Sequence, residues 1–93
     1  MEEENKFSMV IDCVFHITGR GTVVTGRIRK GSIRLNDKLK LINGDKVIKT
    51  QCFFLEKFRK VITEAQAGEH VGIYLSGLNK SDIQKGITLT SDD

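Results

Sequence analysis

Between Phe7 and Ile17 every second residue is apolar: Phe7, Met9, Ile11, Cys13, Phe15 and Ile17. A period of two is the geometry of an extended strand, whose successive side chains leave opposite faces. Read as one unbroken strand, the run puts these residues on a single face, with Ser8, Asp12 and His16 on the other. Val10 and Val14 blur that second face, as in a strand covered on both sides. Gly19-Arg20-Gly21 then reads as a tight turn, because glycine reaches positive φ without steric cost. Thr22-Val23-Val24-Thr25 has strong β propensity, and Gly26 interrupts it where a bulge or a close backbone approach is expected.

The remaining sequence continues in short pieces. Gly31-Ser32-Ile33 leads to Leu35 and a turn at Asn36-Asp37, and Lys38-Leu39-Lys40-Leu41 alternates. Asn43-Gly44 is the strongest hairpin signal in the chain. Lys46 to Phe58 is a long β-rich run. Val71, Ile73 and Leu75 alternate with Gly72 and Tyr74, and Ile87 and Leu89 with Thr88 and Thr90. Residues 59–67 are open to a helical turn, although Ala65-Gln66-Ala67-Gly68 reads better as the approach to a strand. A single helical turn is expected from Ser81 to Lys85, capped by Ser81 with Asp82 at its start. Short strands separated by glycine turns, with no long helix, predict an all-β chain. The expected fold is a small closed antiparallel β-barrel of six to seven strands, with a sandwich as the alternative.

Ninety-three residues suffice for one modest core and not for two. The boundaries expected are an acidic flexible N-terminus at 1–6, a barrel at 7–90 and an acidic tail at 91–93. No apolar run approaches the ~20 residues that a bilayer crossing needs, and MEEENK lacks the basic, apolar start of a secretory signal. A cytoplasmic protein is expected, with no membrane partner. Cys13 and Cys52 are too few for a disulfide framework and read as two reduced, half-buried thiols. Isolated His16 and His70 offer no zinc-ligand spacing, so no metal and no cofactor is expected.

Five of the twelve acids sit at the two ends, so residues 5–91 carry fifteen bases and seven acids, a net of +8. A basic body suits RNA or ribosome contact, and scattered Lys and Arg suit plain solvation of strand edges equally well. Asn79-Lys80-Ser81-Asp82 matches the NKxD tetrad that recognises guanine in GTP-binding proteins. That tetrad works beside a phosphate cradle of the form G-x-x-x-x-G-K-[ST], and no such string occurs. No nucleotide-binding residues are assigned.

The string from Gly19 to Ile28, GRGTVVTGRI, preceded by Ile11-Asp12-x-Val14-Phe15-x-Ile17, resembles the start of the second domain of elongation factor Tu. Further matching pieces follow in that family's order. They are Gly31-x-Ile33, Asp37-x-Leu39, Glu56-x-Phe58-Arg59-Lys60, Ala67-Gly68-Glu69-x-Val71-Gly72, Leu75-x-Gly77, Asp82-Ile83-x-Lys85-Gly86 and Leu89. The resemblance runs from about residue 7 to residue 90 and implies a β-barrel domain of the translational GTPase family, without the GTPase domain. It places Asn79 and Asp82 in a surface connection, as turn and cap residues.

The resemblance also implies a function in protein biosynthesis: a non-catalytic RNA-binding module that helps hold the aminoacylated 3′ end of transfer RNA. Glu56 would contact the terminal adenosine and ribose with Arg59 nearby, and Phe15 would line the aminoacyl pocket together with Asp12, His70 and Val71. Such a site suits unpaired RNA, which is read by stacking and by 2′-OH and base-edge hydrogen bonds. Ribosomal RNA or a translation-factor protein are the other implied partners; no DNA partner is expected. Arg20, in the glycine turn, and Lys60 are candidate partner or RNA contacts. Two positions depart from the family: Cys13 replaces an acid and His70 an asparagine. Simpler roles stay open. Glu56 and Arg59 suit an exposed ion pair, and Phe15 suits the core. A barrel that has left translation for a protein partner, or an excised piece of a longer factor, fits as well, and an enzyme using Cys13 with His16 or His70 is the third reading.

Overall fold

The structure, a computed structural model, describes residues 6–19 and 21–92. Arg20 and all of the acidic N-terminus except Lys6 lie outside the described residues. Strands β1 (Ser8–Val10), β3 (Gly21–Lys30), β5 (Lys38–Asn43), β6 (Lys46–Lys57), β9 (His70–Leu75) and β10 (Thr88–Ser91) form an antiparallel barrel. Its order is β1-β10-β5-β6-β9-β3, and the β1–β3 pairing closes it. Closure leaves none of these six strands with an unpaired outer edge along its whole length, which is how a sheet this small avoids presenting a sticky edge. Four short strands attach outside the ring. Strand β2 (Cys13–Ile17) lies on β3, β7 (Lys60–Ile62) on β6, and β4 (Ser32–Arg34) pairs with β8 (Glu64–Gln66).

The barrel interior is filled by the alternating apolar residues. Met9, Leu89 and Leu41 face one another across three strands, and Val24, Ile73 and Leu55 across three more; all are fully buried. Gly26 stands where β3 meets the end of β1. A Cβ there would lie 3.2 Å from the Met9 side chain and far inside contact distance of the Val10 carbonyl oxygen. The close approach expected at this glycine is therefore made by the strand that closes the barrel.

The expectation of one continuous face from Phe7 to Ile17 is overturned. Phe7, Met9 and Ile11 are buried, whereas Cys13, Phe15 and Ile17 are exposed and Val14 turns inward. The register supplies the cause. Met9 and Cys13 are four residues apart, but their partners on β3, Ile28 and Thr25, are only three apart. One extra residue reverses every side chain beyond it. At the step, the Ile11 amide donates to the Ile87 carbonyl at 3.0 Å and the Asp12 amide to the Thr25 carbonyl at 2.8 Å.

The two thiols separate accordingly and are not both half-buried. Cys13 is exposed, while Cys52 has 0% of its surface accessible, and burial pushes its thiol up to about 11. A thiolate is the reactive species, so a disulfide-exchange reagent should titrate one thiol in the native protein and two in denaturant. Rapid modification of both under native conditions would contradict this burial.

Smaller differences follow local chemistry. The hairpin turn is Gly44-Asp45, one residue later than the Asn43-Gly44 signal, because Asn43 still pairs with Lys46. Residues 59–67 contribute β7 and β8 instead of a helical turn. The expected turn at Ser81–Lys85 is a 3₁₀ turn at Lys80–Asp82, and its cap is Asn79, not Ser81. The Asn79 amide donates to Asp82 Oδ2 at 2.8 Å and the Asp82 amide to the Asn79 carbonyl at 2.9 Å. Two residues of the NKxD tetrad thus close their own surface turn.

Candidate functional site

The strands β2, β3, β9, β6 and β7 present one continuous outer surface. In one row Phe15 pairs with Val23, Val23 with Tyr74, and Tyr74 with Phe54. In the next, Cys13 pairs with Thr25, Thr25 with Gly72, and Gly72 with Glu56, which also pairs with Val61. Directly opposed residues share a face, and residues two apart in a strand share it too. Phe15, Tyr74, Phe54, Glu56 and Val61 therefore lie on one side, outside the barrel interior, although Tyr74 is itself buried at 6% accessible. Phe15 is 52% and Val61 64% accessible, so Phe15 is not core and the patch is partly apolar.

Glu56 occupies the middle of this surface. Gly72 opposite it has no side chain, and a Cβ there would come within 3.3 Å of Glu56 Cγ. The missing side chain leaves a notch against which the carboxylate lies. Tyr74 donates its hydroxyl to Glu56 Oε1 at 3.3 Å, a long and weak bond. The Tyr74 ring is held edge-on by Phe54 at 4.8 Å and Phe53 at 6.0 Å between centroids. No cation forms an ion pair with Glu56 among the described residues, so the Glu56–Arg59 pair is not formed. A half-buried carboxylate with open acceptor positions on an apolar surface is suited to receive hydroxyl or amino donors from a ligand.

Arg59 instead stands at the tip of the hairpin joining β6 to β7. Lys57 pairs with Lys60, and the two turn residues Phe58 and Arg59 have φ of 53° and 65°. Both central residues of such a turn need positive φ, the region where glycine or asparagine is at ease. A phenylalanine there is held at a cost of about 1–3 kcal/mol, a kind of strain that concentrates at functional sites. Phe58 is 84% accessible, with Lys57 Nζ 5.7 Å from its ring centroid. Lys57 also donates to Glu69 Oε2 at 2.6 Å, and the Gln66 amide donates to Oε1 at 2.7 Å. These two bonds, the lysine's first, hold the Glu69 carboxyl below its ordinary range. Their contribution to stability is complete above the unfolded carboxylate range and fades as pH falls through the folded value. Lys60, exposed, completes a basic tip.

Asp12 and His70 are brought together at the other end of the surface. His70 Nε2 donates to Asp12 Oδ2 at 3.1 Å, and the pair borders a shallow groove with Val10, Arg27 and Arg29. His70 lies two residues from Gly72 on the same side of β9, so this pair continues the Glu56 surface. Val71 is placed differently. Its side chain is fully buried, because the alternation that turns His70 and Gly72 outward turns Val71 into the core. Neither His16, which contacts Thr22 Oγ1 at 3.3 Å, nor His70 is hydrogen-bonded to Cys13. Among the described residues no group of three or more His, Cys, Asp and Glu could hold a metal ion, and no helix is long and apolar enough to cross a membrane.

Five members of the surface are not candidates from sequence: Phe54, Phe58, Val61, Gly72 and Tyr74. The alternation from His70 to Leu75 did imply that Gly72 and Tyr74 share a face. What opposes them on β6 depends on a pairing between distant strands, which no local pattern encodes.

Residues 21–90, three-quarters of the chain, match the family model of elongation factor Tu domain 2. The matched stretch runs from the first residue of β3 almost to the end of β10, and so takes in five of the six barrel strands. With closure, register and match in agreement, this chain belongs to the elongation factor Tu domain 2 family.

Proposed function

We propose that this barrel is a non-catalytic, translation-factor-like binding module whose Glu56 surface receives the 3′ end of an aminoacylated transfer RNA in the cytoplasm. The observation that carries the reading is the Glu56 carboxylate, without a cation partner among the described residues, on an aromatic surface beside a residue with no side chain. A terminal ribose offers hydroxyl donors to such a carboxylate, and an unpaired base gains by stacking on apolar surface. Arg59 and Lys60 at the hairpin tip suit the adjoining phosphates. Phe15 and the Asp12–His70 pair border the side where the aminoacyl group would lie; Val71 supports that wall from the core. The surface binds and orients, and the barrel has no part in GTP hydrolysis.

A titration with a short single-stranded RNA ending in CCA tests the reading. Glu56→Ala and Arg59→Ala should each weaken binding by about 1–3 kcal/mol. The loss at Glu56 should shrink when the terminal 2′-hydroxyl is removed from the RNA. Binding by both variants equal to the parent's would end the 3′-end reading and leave the exposed aromatic residues to a protein partner.

A further inference from the structure

On the opposite wall of the barrel the register collects lysines. Passing from β3 through β1, β10 and β5 to β6, the directly paired residues are Lys30, Ser8, Thr90, Lys40 and Lys49. The row one residue away on β1, β10 and β5, Met9, Leu89 and Leu41, is fully buried, so Ser8, Thr90 and Lys40 face outward. Lys30, across a shift in the β1–β3 register, and Lys49 are themselves exposed. Lys6 and Lys38, two residues from Ser8 and Lys40, extend the same face. Lys6, Lys30 and Lys40 border one groove together with Ser8 and Thr90, and among the described residues no acid lines it. Lys49 has a distant partner, the Asp92 carboxylate at 3.9 Å, while Lys6, Lys30, Lys38 and Lys40 form no ion pair among the described residues. Strand β10, at the centre of the row, is three strands from β9 in either direction around the six-strand ring.

We propose that this lysine row is a second docking surface, for the phosphate backbone of RNA, separate from the Glu56 surface. Four inter-strand spacings carry the row about 19 Å around the wall, enough to follow several successive phosphates. Lysine ammonium groups neutralise phosphates as mobile point charges and release their counterions, while the Ser8 and Thr90 hydroxyls between them can donate to phosphate oxygens. A protein partner fits less well. Lysine is depleted where proteins meet, and the row has no aromatic or arginine anchor at its centre. The choice of RNA rests on the translation-factor reading above, but the surface and its charge do not depend on Glu56.

A short blunt-ended RNA duplex, which offers no single-stranded 3′ end, isolates this surface. Binding measured against salt should give a linear fall of log K with log salt concentration. Lys30→Glu combined with Lys40→Glu should weaken binding at least ~tenfold at low salt, and should make the slope shallower by about two, one per lysine. Lys30→Gln with Lys40→Gln should show the same change in slope and guards against misfolding caused by charge reversal. Glu56→Ala should leave duplex binding unchanged, so failure of either surface is seen separately. Parental affinity and slope in both lysine variants would overturn the proposal. So would binding of polyglutamate, but not duplex, through these lysines, because the partner would then be an acidic protein.

Discussion

Gly26→Ala should destabilise the barrel by about 3 kcal/mol or more, lowering the melting temperature by about 12–24 °C. The cause is steric and not conformational, since Gly26 is absent from the glycines with positive φ. An added methyl would meet the Val10 carbonyl oxygen and, at 3.2 Å, the Met9 side chain. A flexible side chain could swing aside, but a strand's carbonyl cannot move without disturbing the pairing of β1 with β3, which closes the ring. A loss of this size consumes much of the ~5–15 kcal/mol that holds a typical domain folded. Gly72→Ala is the matched comparison. Its added methyl would meet only the Glu56 side chain, at 3.3 Å, which can yield. That variant should unfold near the parent's temperature and lose ligand affinity by displacing Glu56. Equal thermal stability of Gly26→Ala and the parent would refute the account of closure.

The glycine at position 26 was legible because it interrupts a β-branched run, and only steric demand keeps a glycine there. The same logic made the all-β class and the inward phase of Val71, Ile73 and Leu75 readable. Alternation failed at Asp12. Nothing in the residues from Phe7 to Ile17 announces an extra residue in the pairing, because the residue is extra only relative to β3. Alternation alone consequently puts Cys13 and Phe15 on the wrong side. The site suffered in the same way. Glu56, Arg59, Asp12 and His70 came from resemblance, whereas the notch at Gly72 and the hydroxyl of Tyr74 come from the β6–β9 register. Phe58 was hidden for a different reason. Local preference argues against phenylalanine at positive φ, so the turn was invisible to rules that look for glycine or asparagine. The lysine row combines both difficulties: its paired residues come from five strands far apart in sequence and become neighbours only when the barrel closes.

Leu75→Ala should cost about 2–5 kcal/mol, as a buried truncation whose cavity the surrounding strands cannot collapse to fill. Leu75 is 1% exposed in β9, paired with Thr22 on one side and Cys52 on the other, so strands constrain it on both flanks. Phe15→Ala removes a larger side chain but should change stability by no more than about 1 kcal/mol, because half of its surface already meets solvent. The order expected from residue size alone is thus reversed, and urea unfolding of the two variants measures it. The binding titration should reverse it again: Phe15→Ala weakens the RNA-end complex, while Leu75→Ala, in the folded fraction, binds as the parent does. A Phe15 variant that unfolds as easily as the Leu75 variant would mean that β2 carries its aromatic side inward after all. The extra residue at Asp12, and the outward surface built upon it, would then both be wrong.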